Sequence, residues 1–533
     1  MTVRPTGTTM MKMVAMRVIT VVAVVLFGLG SLTAQVQVRT EAGVVAGTKS
    51  ADGKVAVFKG IAFAAPPVGE LRWKEPEPVT PWRGVRKATE FGARCMQARI
   101  FEDMVFRDAG PSEDCLYLNV WTPGISAKTK LPVMVWIYGG GFQAGATSEP
   151  RQDGEHLAHR GVVIVSMNYR LGIFGFFSHP GLTAESSHHA SGNYGLMDQV
   201  AALKWVHENI EAFGGDPANV TIFGESAGSF AVSALMASPL SKGLMRAAIG
   251  ESGAFFGKTL RAKPLAESER RDVVFAKSLG LKSLGQLRGV SAEKLLEASR
   301  RGHDNNHFRP NIDGYFMPAK PSEIYAKGEQ AHVPLIAGWN RDEGSYQHFF
   351  GTEQVNQDNY AAKIRQLFGE AAAEALKLFP GGSDEEVKRS AGLLDTADFI
   401  ALGTWKWLGM HLQTGGASVY RYEFDQVPPP SEGHEAEAGL AYHSAEIEYV
   451  FGTLDWKKIS WRPEDYKLSE QMGACWTNFA KTGNPNGAGL GAWPIYIRKS
   501  GYQVMHLGAA PRATADKQRE QFVFLDKTAV NTN

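Results

Sequence analysis

Four uninterrupted runs of apolar residues constrain the fold of this chain most strongly. They are LPVMVWIY (131–138), VVIVSMNY (162–169), NVTIFG (219–224) and VPLIAGWN (333–340). Runs without polar alternation predict strands that are buried on both faces of a mainly parallel sheet. Between the second and third runs, residues 193–214 carry apolar residues at helical spacing. Strands that alternate with helices, with no repeat and no linker, predict one large α/β domain in which helices flank a central sheet.

The segment upstream of these runs has a different pattern of apolar and polar residues. Residues 36–64, VQVRTEAGVVAGTKSADGKVAVFKGIAFA, alternate apolar and polar residues and break at glycine and at Asp-Gly. This pattern is typical of antiparallel hairpins, which need one solvated face and tight turns. The sequence therefore predicts an N-terminal antiparallel hairpin region beside the parallel sheet.

The first residues have the pattern of a secretory signal peptide. Basic Lys12 and Arg17 precede the apolar run 18–29, and small residues follow up to Ala34. The run is shorter than the roughly 20 residues that span a bilayer, although an uncleaved anchor is the alternative. We expect cleavage after Ala34, no stable membrane span afterwards, and a secreted or periplasmic single domain at 35–533.

Charge and cysteine content narrow the choice of partner and compartment. The formal net charge is +1, and no basic stripe with interleaved aromatic residues occurs, so we expect no nucleic-acid partner. Of three cysteines, Cys95 and Cys115 close a short loop, whereas Cys475 lies in a helix-like apolar pattern. We expect a Cys95–Cys115 disulfide, as suits an exported protein, and a buried, reduced Cys475.

The third apolar run leads directly into a serine. Ser226 is the centre of GESAG (224–228) and is followed by a helix pattern, SFAVSALMASP (229–239). G-x-S-x-G between a strand and a helix is the pattern of a nucleophile elbow, which exposes a serine hydroxyl above a sheet. A turn that merely uses Gly and Ser is the alternative, so the rest of the chain has to decide.

A nucleophilic serine needs a base and an acid that orients it, in the chain order Ser, acid, His. The segment GLAYHSAEIEYVFG places His443 in a small-residue turn before an apolar stretch. For the acid, Asp342 and Glu343 both follow the fourth apolar run, and spacing does not choose between them. The other histidines downstream of the serine are His303, His307, His332, His348, His411, His434 and His506.

A glycine-rich loop follows the first apolar run. WIYGGGFQAG contains three consecutive glycines, 139–141, whose backbone N–H groups can approach a ligand closely. Such a loop suits an oxyanion hole for acyl transfer. Phosphate binding is disfavoured, because no Lys-Ser or Lys-Thr follows as in a P-loop.

Together these residues resemble the type-B carboxylesterases, the cholinesterase-like branch of the α/β-hydrolases, and in particular their bacterial para-nitrobenzyl-esterase-like members. The resemblance extends over about residues 36 to 510. The matching blocks, in order, are EDCLYLNVW (113–121), WIYGGGF, GNYGLMDQ, FGGDPANVTIFGESAG (213–228), PNIDGYFMP, NRDEGSY, HSAEIEYVFG and WTNFAKTGNPN.

The resemblance implies an α/β-hydrolase fold and assigns the catalytic roles. It implies that Ser226 is the nucleophile, that His443 is the base, and that Glu343 rather than Asp342 is the acid. The implied oxyanion donors are the backbone N–H groups of Gly140, Gly141 and Ala227.

The resemblance also implies supporting residues. Glu225 resembles a buried carboxylate near the histidine, and Ser252 resembles a serine that supports the acid. Ser444 departs from the family, in which many members have glycine after the histidine. Aromatic residues that flank the catalytic blocks are candidates for the substrate pocket: Phe142, Phe255, Phe256 and Trp339.

The implied activity is hydrolysis of a small carboxylic ester through an acyl-enzyme, without a metal or organic cofactor. GHEAE at His434 does not form an H-E-x-x-H zinc motif. A lipase, or a thioesterase or amidase that uses the same triad, is the alternative enzyme. A non-catalytic binding protein of the same fold is disfavoured because all three triad residues are present. The sequence does not indicate an oligomeric state.

Overall fold

The structure is a computed structural model and describes residues 35–126, 128–281, 283–301, 308–431 and 438–529. The predicted signal peptide at 1–34 lies outside the described residues. Within those ranges, no helix is both long and apolar enough to cross a bilayer.

The strands are short at the N-terminus and longer in the centre of the sheet. They are β1 (Val36–Arg39), β2 (Val44–Lys49), β3 (Ala56–Ala62), β4 (Val85–Lys87), β5 (Arg94–Cys95), β6 (Pro111–Ser112), β7 (Tyr117–Thr122), β8 (Leu131–Ile137), β9 (Val163–Met167), β10 (Gly215–Glu225), β11 (Ala247–Glu251), β12 (Lys263–Pro264), β13 (Asn311–Ile312), β14 (Leu335–Asn340), β15 (Val419–Phe424), β16 (Gln503–Leu507) and β17 (Arg512–Ala515).

The helices connect these strands. They are α1 (Glu155–Ala158), α2 (Gly172–Phe176), α3 (Pro180–Glu185), α4 (Tyr194–Asn209), α5 (Ala227–Ala237), α6 (Leu265–Ser278), α7 (Leu284–Arg288), α8 (Ala292–Arg300), α9 (Pro321–Ala326), α10 (Tyr346–Phe350), α11 (Gln357–Phe368), α12 (Ala372–Leu378), α13 (Asp384–Thr396), α14 (Leu402–Thr414), α15 (Ile447–Phe451), α16 (Pro463–Thr482) and α17 (Arg519–Ala529).

One sheet of thirteen strands organises the described part of the chain. Its order is β1-β2-β3-β7-β9-β8-β10-β11-β14-β15-β16-β17, and β4 pairs with β2. The strands from β9 to β16 in this order are parallel to one another. Every residue of β9 and β14 is buried, as their apolar runs predict, and every residue of β15 is buried as well. The predicted α/β fold with a mainly parallel sheet is confirmed.

The N-terminal region forms the antiparallel end of this sheet. β1 pairs with β2, β2 with β3, and β3 with β7, all antiparallel. The predicted antiparallel hairpin region is therefore confirmed. The Cys95–Cys115 disulfide is present, and Cys475 is free and buried in α16. Burial raises the pKa of the Cys475 thiol to about 12, which leaves it unreactive.

The parallel strands converge on one edge of the sheet. β8, β10, β11, β14 and β15 are neighbours in that order. The carboxyl ends of parallel strands lie at the same edge, so the loops that follow them meet there. Four features lie at this edge: the glycine loop after β8, Ser226 after β10, Ser252 after β11 and Glu343 after β14. His443 lies in the chain between β15 and α15.

Candidate active site

Ser226 occupies a strained turn between β10 and α5. Its backbone has φ 51° and ψ −122°, a region that non-glycine residues rarely adopt. Such a conformation costs about 1–3 kcal/mol and persists only where the surroundings enforce it. Here the Ser226 N–H donates to the carbonyl of Glu251 at 2.8 Å, which ties the turn to β11. The strained backbone is the expected feature of a nucleophile elbow.

The glycines on either side of Ser226 are required by close packing. A Cβ on Gly224 would lie 2.6 Å from the carbonyl oxygen of Ile137, and one on Gly228 would lie 1.9 Å from the same oxygen. Both glycines therefore press against the end of β8. The G-x-S-x-G pattern follows from this contact, because any side chain at either position would push the elbow away from the sheet.

His443 contacts both other predicted triad residues. Its Nε2 lies 2.9 Å from Ser226 Oγ, and its Nδ1 lies 3.1 Å from Glu343 Oε2. The carboxylate fixes the tautomer in which Nδ1 carries the proton, so that Nε2 accepts the serine hydroxyl proton. The structure thus brings together the serine, histidine and glutamate that the sequence singled out.

Glu343 is held in place by two further donors. Its Oε1 accepts hydrogen bonds from the backbone N–H of Asn340 at 2.7 Å and from the Ser252 hydroxyl. The neighbouring Asp342 turns elsewhere: it pairs with Arg341 at 2.6 Å and accepts the N–H of Ala441 at 2.9 Å. Glu343, and not Asp342, therefore faces the histidine.

The other candidate histidines that the structure describes do not contact the serine. His332 and His411 bond to backbone carbonyls, and His348 and His506 bond to aspartates. The remaining three, His303, His307 and His434, lie outside the described residues.

The glycine loop lies directly against the nucleophile. A Cβ on Gly139 would lie 2.9 Å from the Cβ of Ser226, so the loop and the elbow are in contact. Gly140 and Gly141 have φ of 93° and 65°, which favours glycine. Within the described ranges, no hydrogen bond engages the N–H groups of Gly140, Gly141 or Ala227. These three donors remain available to an incoming oxyanion.

Buried acids surround the histidine. Glu225 Oε1 lies 3.3 Å from His443 Nε2. Burial lowers the pKa of His443, but the negative charges of Glu225 and Glu343 outweigh this and raise it to about 10. Burial raises the pKa of Glu225 to about 7, against the opposing effect of the histidine. The site therefore stabilises the imidazolium form of His443, which is the form that a general base takes once it has accepted a proton.

Comparison with known proteins identifies the family of this chain. A model described as "Carboxylesterase family" matches residues 34–525. The chain belongs to the carboxylesterase family. It is 40% identical over 479 residues to a para-nitrobenzyl esterase of Bacillus subtilis, covering 86% of this chain and 92% of that protein. It is also 36% identical over 493 residues to a fumonisin B1 esterase of Sphingopyxis macrogoltabida, covering 88% and 86% of the two chains.

Solved structures agree with the family and the fold. Carboxylesterase EST55 of Geobacillus stearothermophilus superposes with a TM-score of 0.79 at 33% identity, covering 91% of this chain and 99% of that chain. A PNB esterase superposes with a TM-score of 0.77 at 36% identity, covering 91% and 98%. The α/β-hydrolase fold and membership of a family of carboxylic ester hydrolases are thus established for this enzyme.

The four predicted pocket aromatics are all buried in the carboxylesterase. Phe142, which directly follows Gly141, stacks on Phe255 with ring centres 6.1 Å apart. Phe256 packs edge-on against Tyr325 at 5.0 Å. Trp339 is 1% exposed and lies under the guanidinium of Arg421, 4.2 Å from the ring centre. Phe142 and Phe255 thus lie beside the glycine loop, whereas Trp339 packs into a buried cluster with Arg421.

Sequence reasoning missed an aromatic residue at the catalytic centre. Phe399 packs edge-on against His443 with ring centres 5.1 Å apart, and it is 36% exposed. It lies in a single π-helical turn, Ala397–Ala401, between α13 and α14. Such turns are rare and frequently occur at functional sites. Local periodicity carries no signal for a π-turn, so only the folded structure reveals the contact.

Two further buried carboxylates were also missed. Glu251 accepts a hydrogen bond from the indole N–H of Trp476 at 2.8 Å, and burial raises its pKa to about 8. Glu446 accepts from the side-chain amide of Asn340, and burial together with the charge of Glu225 raises its pKa well above the usual range. The signal was an acid inside an otherwise apolar stretch, in AIGESG and in HSAEIEYVFG.

One group of the described residues has metal-ligand geometry. The side-chain ligand atoms of Glu423, Asp425 and His506 lie within 4.8 Å of one another. His506 Nδ1 lies 2.8 Å from Asp425, and a guanidinium nitrogen of Arg421 lies 3.6 Å from Glu423. Because a buried cation already faces these acids, we assign the group to a charge network rather than to a metal site.

Proposed function

We propose that this carboxylesterase hydrolyses carboxylic esters through an acyl-enzyme formed on Ser226, with His443 as the general base and Glu343 as the orienting acid. The observation that carries the proposal is the pair of contacts at His443, 2.9 Å to Ser226 Oγ and 3.1 Å to Glu343 Oε2. Both lie within the range that proton transfer and orientation require.

Acylation begins when His443 Nε2 takes the hydroxyl proton of Ser226 and the serine oxygen attacks the ester carbonyl. The tetrahedral intermediate carries a negative charge on the former carbonyl oxygen. We assign its stabilisation to the N–H groups of Gly140, Gly141 and Ala227. The imidazolium then gives its proton to the leaving alcohol, and the acyl group stays on the serine.

Deacylation repeats the sequence with water as the nucleophile. His443 takes a proton from water, the hydroxide attacks the acyl carbonyl, and the same N–H groups stabilise the second intermediate. The proton returns to Ser226 Oγ as the acid leaves. Glu343, fixed by Asn340 and Ser252, keeps the imidazole oriented through both steps.

The substrate is proposed to be a small-molecule ester. Relatives carry the names para-nitrobenzyl esterase and fumonisin B1 esterase, both of which refer to esters of organic molecules. Lipase, thioesterase and amidase activities use the same residues and differ in the acyl chain or the leaving group.

We also propose that residues 35–533 act as one secreted or periplasmic domain after removal of 1–34. The Cys95–Cys115 disulfide supports this compartment, because disulfides persist where the environment is oxidising. One sheet that contains strands from Val36 to Ala515 supports the single domain.

The test is hydrolysis of p-nitrophenyl acetate, butyrate, octanoate and palmitate by the mature chain and by Ser226→Ala. We expect a preference for short acyl chains and a loss of about 10⁴-fold or more in kcat for the variant. The matched control is Ser233→Ala, which removes a buried hydroxyl from the same helix. A preference for palmitate would support a lipase instead. Full activity in Ser226→Ala would overturn the proposal.

A further inference from the structure

A cavity of about 200 Å³ is lined by Phe255 and by the π-helical turn that carries Phe399, and its lining residues differ in charge from those around His443. It lies between the segment that begins at Phe255 and a second segment, formed by the start of the π-helical turn and the start of α14. Phe255, Phe256 and Leu402 form part of its apolar wall.

Close backbone packing fixes the two walls of this cavity. A Cβ on Gly403 would lie 3.0 Å from the backbone nitrogen of Gly257, so the two segments touch where both residues are glycine. Lys258 Nζ lies 3.0 Å from Asp398 Oδ1, and the Thr259 hydroxyl donates to the carbonyl of Asp398 at 3.4 Å. These contacts hold the two walls of the cavity in place.

The cavity is one aromatic ring away from the catalytic residues on each side. Phe255 stacks on Phe142, which directly follows Gly141 of the glycine loop. On the other side, Asp398 immediately precedes Phe399, whose ring packs on His443. Phe142 and Phe255 are buried, whereas Phe399 is partly exposed, so a substrate bound at Ser226 that extends past the Phe399 ring would direct its far end toward Asp398 and the cavity.

The wall of the cavity is cationic. Among the described residues, its lining includes the cations Lys258, Arg261, Lys320 and Lys406 and one carboxylate, Asp398. Lys406 pairs with Asp526 at 2.7 Å, and Lys320 lies 4.0 Å from Glu323; neither acid is among the lining residues. The four cations thus outnumber the three described acids that face them, Asp398, Glu323 and Asp526, whereas acids predominate around His443.

We propose that this cavity binds a carboxylate at the end of the ester substrate remote from the scissile bond, so that the enzyme prefers anionic esters. This inference rests on the proposed ester hydrolysis. It deepens that function by naming the substrate class: monoesters of dicarboxylic acids, or esters of hydroxy acids. The two classes carry the anion on the acyl and on the alcohol side, respectively.

The test compares matched esters. Monomethyl suberate and methyl octanoate have the same number of acyl carbons and differ in one terminal charge. 6-Acetoxyhexanoate and hexyl acetate form the corresponding pair on the alcohol side. We expect the anionic member of one pair to have the higher kcat/KM, and the pair that shows the preference assigns the side. The preference falls as salt is added, because the cavity is open to screening.

The variant that tests the site is Lys320→Gln, with Lys320→Arg as the conservative partner. We expect Lys320→Gln to lower kcat/KM for the anionic ester by about three- to tenfold and to leave the neutral ester unchanged. Lys320→Arg retains the preference. The matched control, Lys128→Gln, removes an exposed lysine that does not line the cavity.

Two results would overturn this inference in distinguishable ways. If the neutral esters are hydrolysed but neither anionic partner is preferred, or if Lys320→Gln leaves a preference intact, the cavity does not bind the substrate carboxylate. If no ester is hydrolysed by folded enzyme, the proposed function is wrong, and this inference, which rests on it, is wrong as well.

Discussion

The Oε1 of Glu225 lies 3.3 Å from Nε2 of His443, on the same nitrogen that faces the Ser226 hydroxyl. Within the described residues, this oxygen has no hydrogen-bond partner although it is buried. A carboxylate in this position favours the positively charged imidazole. We therefore expect Glu225 to stabilise the charge that forms on His443 during catalysis and to make protonation of the resting histidine easier.

The pH dependence tests the role of Glu225. Catalysis needs a neutral His443, so activity falls as pH drops through the pKa of the histidine. Glu225→Gln removes a charge that raises this pKa, and we expect the acidic limb of the kcat/KM profile to move to lower pH by about one unit or more. The matched control, Glu155→Gln, changes an acid in α1 and leaves the limb in place. A limb that stays fixed or moves to higher pH in Glu225→Gln would contradict this role.

Phe399 is expected to limit the size of the ester group beside His443. Phe399→Ala removes a ring that is partly exposed and packs on the imidazole. We expect the ratio of kcat/KM for p-nitrophenyl octanoate to that for the acetate to rise by about tenfold. Phe399→Leu has a smaller effect because it keeps part of the wall. Val274→Ala, at an exposed position on α6, is the control, and an unchanged ratio in Phe399→Ala would refute the prediction.

The buried carboxyl group of Glu251 is expected to make the stability of the folded protein depend on pH. Burial raises its pKa in the folded protein to about 8, whereas its ordinary value is 4.5. The folded state therefore binds more protons than the unfolded state between these values, and its stability falls as pH rises through this window. Glutamine does not titrate and can still accept from Trp476.

We therefore expect Glu251→Gln to gain stability relative to the wild type as pH rises from about 5 to 8, by at most about 1.4 kcal/mol per pH unit. The difference becomes constant above pH 8. Urea unfolding at several pH values measures it, with Glu208→Gln as an exposed control. A difference that does not change with pH would show that Glu251 is not held protonated.

Ser444 is expected to cost stability without serving catalysis. Its φ is 67°, in the left-handed region, which favours glycine. Ser444→Gly should raise the free energy of unfolding by about 1 kcal/mol and leave kcat unchanged. Ser444→Ala retains the Cβ and should bring no gain. A loss of stability in Ser444→Gly would mean that the serine side chain contributes a contact.

The sequence predicted the parts of this enzyme that depend on local pattern. Uninterrupted apolar runs predicted the buried parallel strands, because a strand that is buried on both faces is apolar at every position. Alternation predicted the N-terminal hairpins, because a strand with one solvated face is apolar at every second position. The elbow was predictable because Gly224 and Gly228 are forced by contact with the end of β8.

The features that could not be predicted depend on which distant residues the fold brings close together. Spacing could not separate Asp342 from Glu343, since only the fold shows that Arg341 holds the aspartate. Glu251 and Phe399 belong to segments far apart in the chain from each other and from His443. Their proximity to the catalytic residues follows from the order of strands in the sheet and from an irregular helical turn, neither of which leaves a local signal.

The most direct test of the account is covalent capture at the nucleophile. Diethyl p-nitrophenyl phosphate reacts with an activated serine, releases p-nitrophenol and leaves a stable phosphoryl ester. The account predicts one adduct per chain, located by peptide mass spectrometry on Ser226, with loss of ester hydrolysis in proportion to labelling. Ser226→Ala should not be labelled. An adduct on another residue, or full activity in completely labelled enzyme, would contradict the assignment of Ser226 as the catalytic nucleophile.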